Sequence, residues 1–472
     1  MLGSMSSAIC DLSAVEMARL IRAGDLSARE TVGAHLERID STNPKVNAIV
    51  TLTAGQAIDA AARADEAQAR GEALGPLHGL PVAHKDLQPT AGIRTTFGSR
   101  IFRKFVPDSD SLLVERVRKA GGIMVGKTNT PEFGAGSQTY NEVFGATLNP
   151  WDMTKTCGGS SGGSAVALAC GMTALADGSD LGGSLRNPAS FCGVVGLRPS
   201  PGRVPAWPVP MAWSPLSVEG PLARSVEDLA LFLSALAGPD DRAPLSITQP
   251  GVRFTAPLDR DFQGVLVAWW RDLGGIPMDR EVREITNAQR GVFESLGCIV
   301  EEAEPDWEGV DKAFRTLRFW MSGLRLADGA KQYPERVKDT LLWEIDQARG
   351  LSATDVGLAQ MKHTEIVERM RRFMQRYEFF VLPVSQVPPF DVTQHWPVQI
   401  GNTKMETYID WMKSCYYVSM TAAPAMSVPC GFTRAGLPVG IQIVGRHRDD
   451  FGLLQLAYAF EEAVGISERV RW

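Results

Sequence analysis

The stretch "TCGGSSGGSAVALACG", Thr156 to Gly171, puts four glycines and three serines into the seven positions 158 to 164 and then turns apolar. A second stretch of the same kind, "DGSDLGGSLRNPAS", runs from Asp177 to Ser190, so that Ser184 follows Ser160 by 24 positions. Between them Ala165 to Ala176 is apolar nearly all round, with Thr173 its clearly polar residue. That pattern predicts a helix enclosed on every side. Glycine pairs beside the serines let backbone N–H groups converge on a ligand at little steric cost, and converging donors make a nest for an anion.

Outward from this centre, strands and helices alternate. Upstream, Ser13 to Ile39 and Ala54 to Ala73 have helical periodicity, and Leu80 to Ala83 reads as a short strand ending at His84-Lys85. "GGIMVGKTNTPEF" gives a strand over Ile123 to Val125, a turn and a helix start, and "FGATLNPWD" is a loop. Downstream, "GVVGLRPSPGRV" is a strand and turn, "SVEDLALFLSALAG" an amphipathic helix with a glycine stop, and "FQGVLVAWW" a strand. Residues 279 to 296 and 311 to 377 are largely helical; "FFVLPVS" and "AMSVPCGF" read as buried strands, and "GIQIVG" precedes a last helix at Asp450 to Val464. The alternation predicts an α/β protein with a large, mixed central sheet covered by helices on both faces. No linker rich in Pro, Gly or Ser divides the 472 residues, so one domain is expected over 1–472.

Composition narrows the function classes. With 44% hydrophobic and 22% charged residues the profile is that of a globular protein. A net charge of −6 lacks the electrostatic footprint of a nucleic-acid binder, and the basic cluster Lys362, Arg369, Arg371, Arg372, Arg376 falls at helical spacing, as a solvated helix face does. Seven cysteines without ligand spacing, and an N-terminus whose apolar run is interrupted by Asp11 and Glu16, suit the cytoplasm. The run Ala165 to Ala176 is short of the roughly 20 residues needed to cross a bilayer. No HExxH or comparable pair is present, so no metal and no cofactor is expected.

Three readings compete for the glycine-serine stretch. A phosphate-binding loop needs a Lys and then Ser or Thr after its last glycine, whereas Gly163 is followed by Ser164-Ala165. A nucleophile elbow matches as Gly158-Gly159-Ser160-Ser161-Gly162, but "NPWDMTKTC" before it is no strand, and His363, His395 and His447 carry no partner pattern. A merely flexible turn would not repeat on both sides of a buried helix with "HKD" upstream.

These residues carry a resemblance. "GLPVAHKD", "GGSSGGSAVALACGMTALADGSDLGGSLRNPASFCGVVGLRPSPGRV", "SVEGPLARSVEDLALFL" and "APAMSVPCGFTRAGLPVGIQIVG" resemble, in order and spacing, the pattern of the amidase signature family of serine hydrolases. The resemblance extends from about Leu12 to about Ala463, with its signature region over about 76–228, and implies one compact α/β domain. It implies a Ser–cis-Ser–Lys triad in which Ser184 is the nucleophile, Ser160 the bridging serine after a cis peptide bond and Lys85 the base. It further implies an oxyanion hole from the N–H groups of Leu181, Gly182, Gly183 and Ser184.

The chemistry is consistent on its own terms. A serine hydroxyl is a poor nucleophile until a base takes its proton, and burial can make a lysine neutral enough to serve. His84, beside Lys85 on a strand, points to the opposite face and is expected to be structural. Asp180 and Arg186 are expected to hold the nucleophile loop by a charge pair, and Ser161 to hydrogen-bond within the site. "PAWPVPMAWSPLS" puts Trp207, Met211 and Trp213 on a Pro-rich loop, which suggests a hydrophobic acyl or aryl pocket, and Tyr140 stands where many relatives carry a small or acidic residue. The reading is an amidohydrolase for aryl or alkyl amides, with carbamates and esters in range, working as a monomer or homodimer without nucleic acid or membrane. The alternatives are the amidase subunit of a transfer-RNA-dependent amidotransferase and a catalytically silent scaffold.

Overall fold

Serine caps start the first helices. Ser13 accepts the Glu16 N–H ahead of Ala14–Ala23, which ends on Gly24 at φ 80, and Ser27 and Glu30 form a reciprocal capping box ahead of Ala28–Val46. The periodicity expected through Ser13 to Ile39 is thus two helices, broken where Gly24 takes the left-handed conformation. The computed structural model describes residues 8–466; Met1 to Ser7, part of the stretch read for a leader, lie outside the described residues.

Eleven strands form one mixed sheet. In chain order they are β1 (Ile49–Leu52), β2 (Pro81–Lys85), β3 (Ile123–Thr128), β4 (Leu175–Asp180), β5 (Val195–Arg198), β6 (Val218–Ala223), β7 (Leu266–Trp269), β8 (Ile299–Glu302), β9 (Phe379–Pro383), β10 (Ala425–Phe432) and β11 (Pro438–Val444). Their spatial order is β1-β3-β2-β4-β6-β5-β10-β11-β9-β7-β8. The run β3-β2-β4 is parallel, as is β9-β7-β8, and the strands between are antiparallel. One apolar cluster, around Phe232, Leu382, Ile441 and Leu454, and a second, around Val125, Val166 and Leu168, flank the sheet.

The helix expected over Ala165 to Ala176 is shorter and begins earlier, at Gly162–Ala169. Gly171, at φ 65, ends the turn that follows it, and the rest of the apolar run passes into β4. An apolar run alone does not separate a buried helix from a buried strand. What the sequence did carry is the packing: a Cβ on Gly163 would stand 2.3 Å from the Asn129 backbone nitrogen, so only glycine lets this helix approach that closely.

Chain order places the site. The strand after β2 lies on one side of it, as β3, and the next lies on its other side, as β4. The carboxyl ends of parallel strands at such a reversal open a crevice that neighbouring loops cannot fill. Lys85 is the last residue of β2, and Asp180 the last of β4.

Candidate active site

Lys85 is fully buried, and its Nζ reaches three hydroxyls: Ser160 Oγ at 2.7 Å, Ser161 Oγ at 2.9 Å and Ser179 Oγ at 3.0 Å. Burial pushes its ammonium down from the ordinary lysine value to about 7, while Glu219, Asp180 and Asp177 act to raise it. The peptide bond Gly159-Ser160 is cis. Ser161 donates its backbone N–H to the Ser184 carbonyl at 3.2 Å, which ties the two serine stretches together.

Ser184 sits half-buried on the loop between β4 and the helix Arg186–Cys192, and that loop is bound to one carboxylate. Asp180 accepts from the Gly183 N–H at 2.8 Å, the Leu185 N–H at 3.1 Å and Arg186 Nη2 at 2.9 Å, with Arg198 Nη1 at 3.3 Å. Burial alone would raise the Asp180 carboxyl; Arg186 and Arg198 override it and hold the group ionised, well below the usual carboxylate range. The amide of Gly183, expected to face an oxyanion with those of Leu181, Gly182 and Ser184, is engaged within the loop by this bond to Asp180. Gly183 has φ 119, and a Cβ there would meet Cys415 Cβ at 2.5 Å, so no other residue fits.

His84 turns away from the hydroxyl cluster. Its Nδ1 pairs with Asp177 Oδ2, whose other oxygen accepts the Lys85 backbone N–H at 3.0 Å. Position 84 thus helps fix the strand that carries Lys85.

Above the serines lies a chamber of about 660 Å³, with Ser160, Ser179 and Ser184 on its wall. Trp207 and Met211 line it as the sequence suggested. Two residues of the expected pocket lie elsewhere. Trp213 is 76% exposed, because the Pro-rich loop turns its tip outward. Tyr140 stacks on His395 with ring centroids 5.0 Å apart, and Lys338 Nζ stands 5.7 Å from its centroid, so its ring is taken up beside the chamber. Sequence reasoning missed the aromatic wall of Phe97, Phe102 and Phe133, in which Phe102 packs edge-on against both of the others. It also missed Ser179 and Glu219. Ser179 stood in plain view inside "DGSDLGGS"; Glu219 comes close only through pairing of β4 with β6.

A buried lysine on a serine hydroxyl, a second serine on a charge-locked glycine loop and an apolar chamber over both form an arrangement able to carry out acyl transfer. The chain belongs to the amidase family, whose model, described as Amidase, matches residues 30–454. It is 38% identical over 455 residues to an acylamidase of Rhodococcus erythropolis, covering 95% of each chain. It is 37% identical over 473 residues to the A-type subunit of a glutamyl-tRNA(Gln) amidotransferase of Synechococcus sp. (strain CC9605), covering 94% of this chain and 95% of that one. Among solved structures, a bacterial aryl acylamidase of the amidase signature enzymes superposes with a TM-score of 0.90 at 28% identity, over 96% of both chains. The protein is a hydrolase of amide carbon–nitrogen bonds. Among the described residues no helix is long and apolar enough to cross a membrane, and no group of three or more His, Cys, Asp or Glu could hold a metal ion.

Proposed function

We propose that the protein cleaves aryl and alkyl amides, and with them carbamates and esters, by a Ser184–Ser160–Lys85 relay and an acyl-enzyme intermediate. The observation that carries this reading is the 2.7 Å hydrogen bond from Lys85 Nζ to Ser160 Oγ beneath the chamber whose wall includes Ser184. A neutral Lys85 takes the Ser160 proton as Ser160 takes that of Ser184, and Ser184 Oγ forms a bond to the substrate carbonyl carbon. The carbonyl oxygen becomes an oxyanion before the N–H groups of Leu181, Gly182 and Ser184, where each preorganised donor is typically worth 10²- to 10³-fold in rate. The proton then returns from Lys85 through Ser160 to the departing nitrogen, and the C–N bond breaks. Water repeats the sequence on the acyl-enzyme and releases the acid.

The substrate class follows from the wall. Phe97, Phe102, Phe133, Trp207 and Met211 suit an aromatic or alkyl group, and a chamber of this volume lies within the range typical of small-molecule sites, roughly 300–1,000 Å³. The seven buried free thiols favour a reducing compartment, the cytoplasm, and the negative net charge speaks against a nucleic-acid partner. The test is turnover by the purified chain, alone, of an acyl anilide, a primary amide, an aryl carbamate and glutamine, with the Ser184→Ala variant as control. Anilide turnover that Ser184→Ala abolishes is the expected result. Hydrolysis of glutamine alone would overturn it in favour of a role within an amidotransferase.

A further inference from the structure

Three charged side chains line the chamber without a part in the relay, Arg318, Arg325 and Glu219. Glu219 is the only acidic side chain among the described residues that line the cavity, and it shares that wall with Ser160 and Ser179. It stands directly opposite Ser179 in the antiparallel pairing of β4 with β6, so the two side chains leave the sheet on one face. Ser179 Oγ is one of the three hydroxyls on Lys85. The carboxylate is also held: Gln88 Nε2 donates to Glu219 Oε2 at 2.6 Å, and Gln88 Oε1 accepts from Ser111 Oγ at 2.9 Å, which fixes the amide with its NH₂ toward Glu219.

We propose that Glu219 is a positioning residue for the amide-cleaving reaction, its carboxylate, clamped by Gln88 beside Ser179, governing the charge on Lys85 and so whether the Ser160 proton has an acceptor. The inference rests on the reading of Lys85 as the base. Of the carboxylates that act on Lys85, Glu219 is the strongest, ahead of Asp180 and Asp177. Asp180 is matched by Arg186 and Arg198, and Asp177 by His84 and the Lys85 amide. Glu219 in turn feels burial first, which raises its carboxyl, then Lys85, Asp177, Gln88 and Arg325. The two groups therefore titrate as a pair. An ionised Glu219 raises the pH at which Lys85 loses its proton and the relay becomes competent; a neutral side chain at 219 lets Lys85 lose its proton at lower pH.

The experiment is the pH profile of kcat/KM for an acyl anilide in wild type, E219Q, E219A and E219D. The midpoint of the acid limb in E219Q is expected about 1 pH unit or more below that of wild type, the usual size of a neighbouring charge's effect. One unit below the wild-type midpoint, activity relative to each enzyme's own plateau then rises about fivefold, from roughly one-eleventh to one-half. E219D keeps the charge and is expected to hold the wild-type limb. E219A serves in place of E219Q if the latter lacks the wild-type melting transition. A limb that stays in place or moves up in the neutral variants, or that moves down in E219D as it does in E219Q, overturns the proposal. A wild-type enzyme with no acid limb would instead remove Lys85 as the base, so the two failures are distinct.

Discussion

Replacing Lys85 by alanine separates amide cleavage from ester cleavage. Lys85 Nζ makes the three hydrogen bonds that order Ser160, Ser161 and Ser179, and in the proposed relay it both removes and returns the proton. An amine cannot leave as an anion, so an anilide needs the returned proton as its C–N bond breaks, whereas nitrophenoxide leaves unaided. Loss of one proton-transfer role costs typically 10²- to 10⁴-fold, and an activated ester loses only that one. The anilide loses two. Measured as kcat/KM on an anilide and a nitrophenyl ester of the same acyl group, the anilide is expected to fall further by at least about tenfold, or roughly 1.4 kcal/mol of transition-state stabilisation. Circular dichroism checks that Lys85→Ala still folds. Equal losses on the two substrates would refute proton delivery from Lys85 to the leaving group.

A fluorophosphonate is expected to add to Ser184, read by intact mass and peptide mapping, with the adduct absent in Ser184→Ala; an adduct on Ser160 or Ser161 would reassign the nucleophile. Anilide turnover is expected to rise with pH as Lys85 loses its proton, with a midpoint well under the ordinary lysine value because burial lowers that group; a profile flat from pH 5 to 9 would contradict this. Asp180→Asn strands Arg186 and Arg198 in the interior and is expected to cost about 3–5 kcal/mol in denaturant unfolding. Because the Asp180 carboxyl is held below its unfolded value, its contribution to stability is present above about pH 4 and is lost as pH falls below that, so the difference between wild type and variant should shrink in acid. Met211→Ala is expected to raise KM for an aryl amide while Ser184 remains fully labelled.

Local pattern carried most of the fold because each segment is consistent with its final state. "SVEDLALFLSALAG" has a cap, an apolar stripe and a stop, and forms Val226–Leu236 with Ser225 accepting from the Asp228 N–H. The run Ala165 to Ala176 was misread where local pattern is silent, since β4 is as buried as the helix before it. At the site, glycine spacing marked the two serine stretches, while the roles of Lys85, Ser160 and Ser184 came from the resemblance; the structure brings Lys85 Nζ to 2.7 Å from Ser160 Oγ and puts Ser160 and Ser184 on one chamber wall. Glu219 was not legible, because its role depends on strand pairing across roughly 40 residues of chain, and nothing in "SVEGPLAR" announces which neighbour it faces. The aromatic wall was hidden for the same reason. Phe97, Phe102 and Phe133 lie among loops and short turns, and meet only when the sheet brings those loops to one end.

The chamber's walls and the groups beneath it travel on different parts of the chain. Lys85 and Ser179 sit at strand ends, Ser160 on the turn before the helix Gly162–Ala169 and Ser184 on a loop fixed by one buried carboxylate, while most of the remaining wall comes from segments around 97–133, 204–218 and 318–341. Mutations can therefore reshape what fits without disturbing how the bond is broken. Lineages sharing this scaffold are free to drift apart in diet while keeping one set of tools, and a laboratory library confined to those wall segments should explore new substrates with the reactive centre left intact.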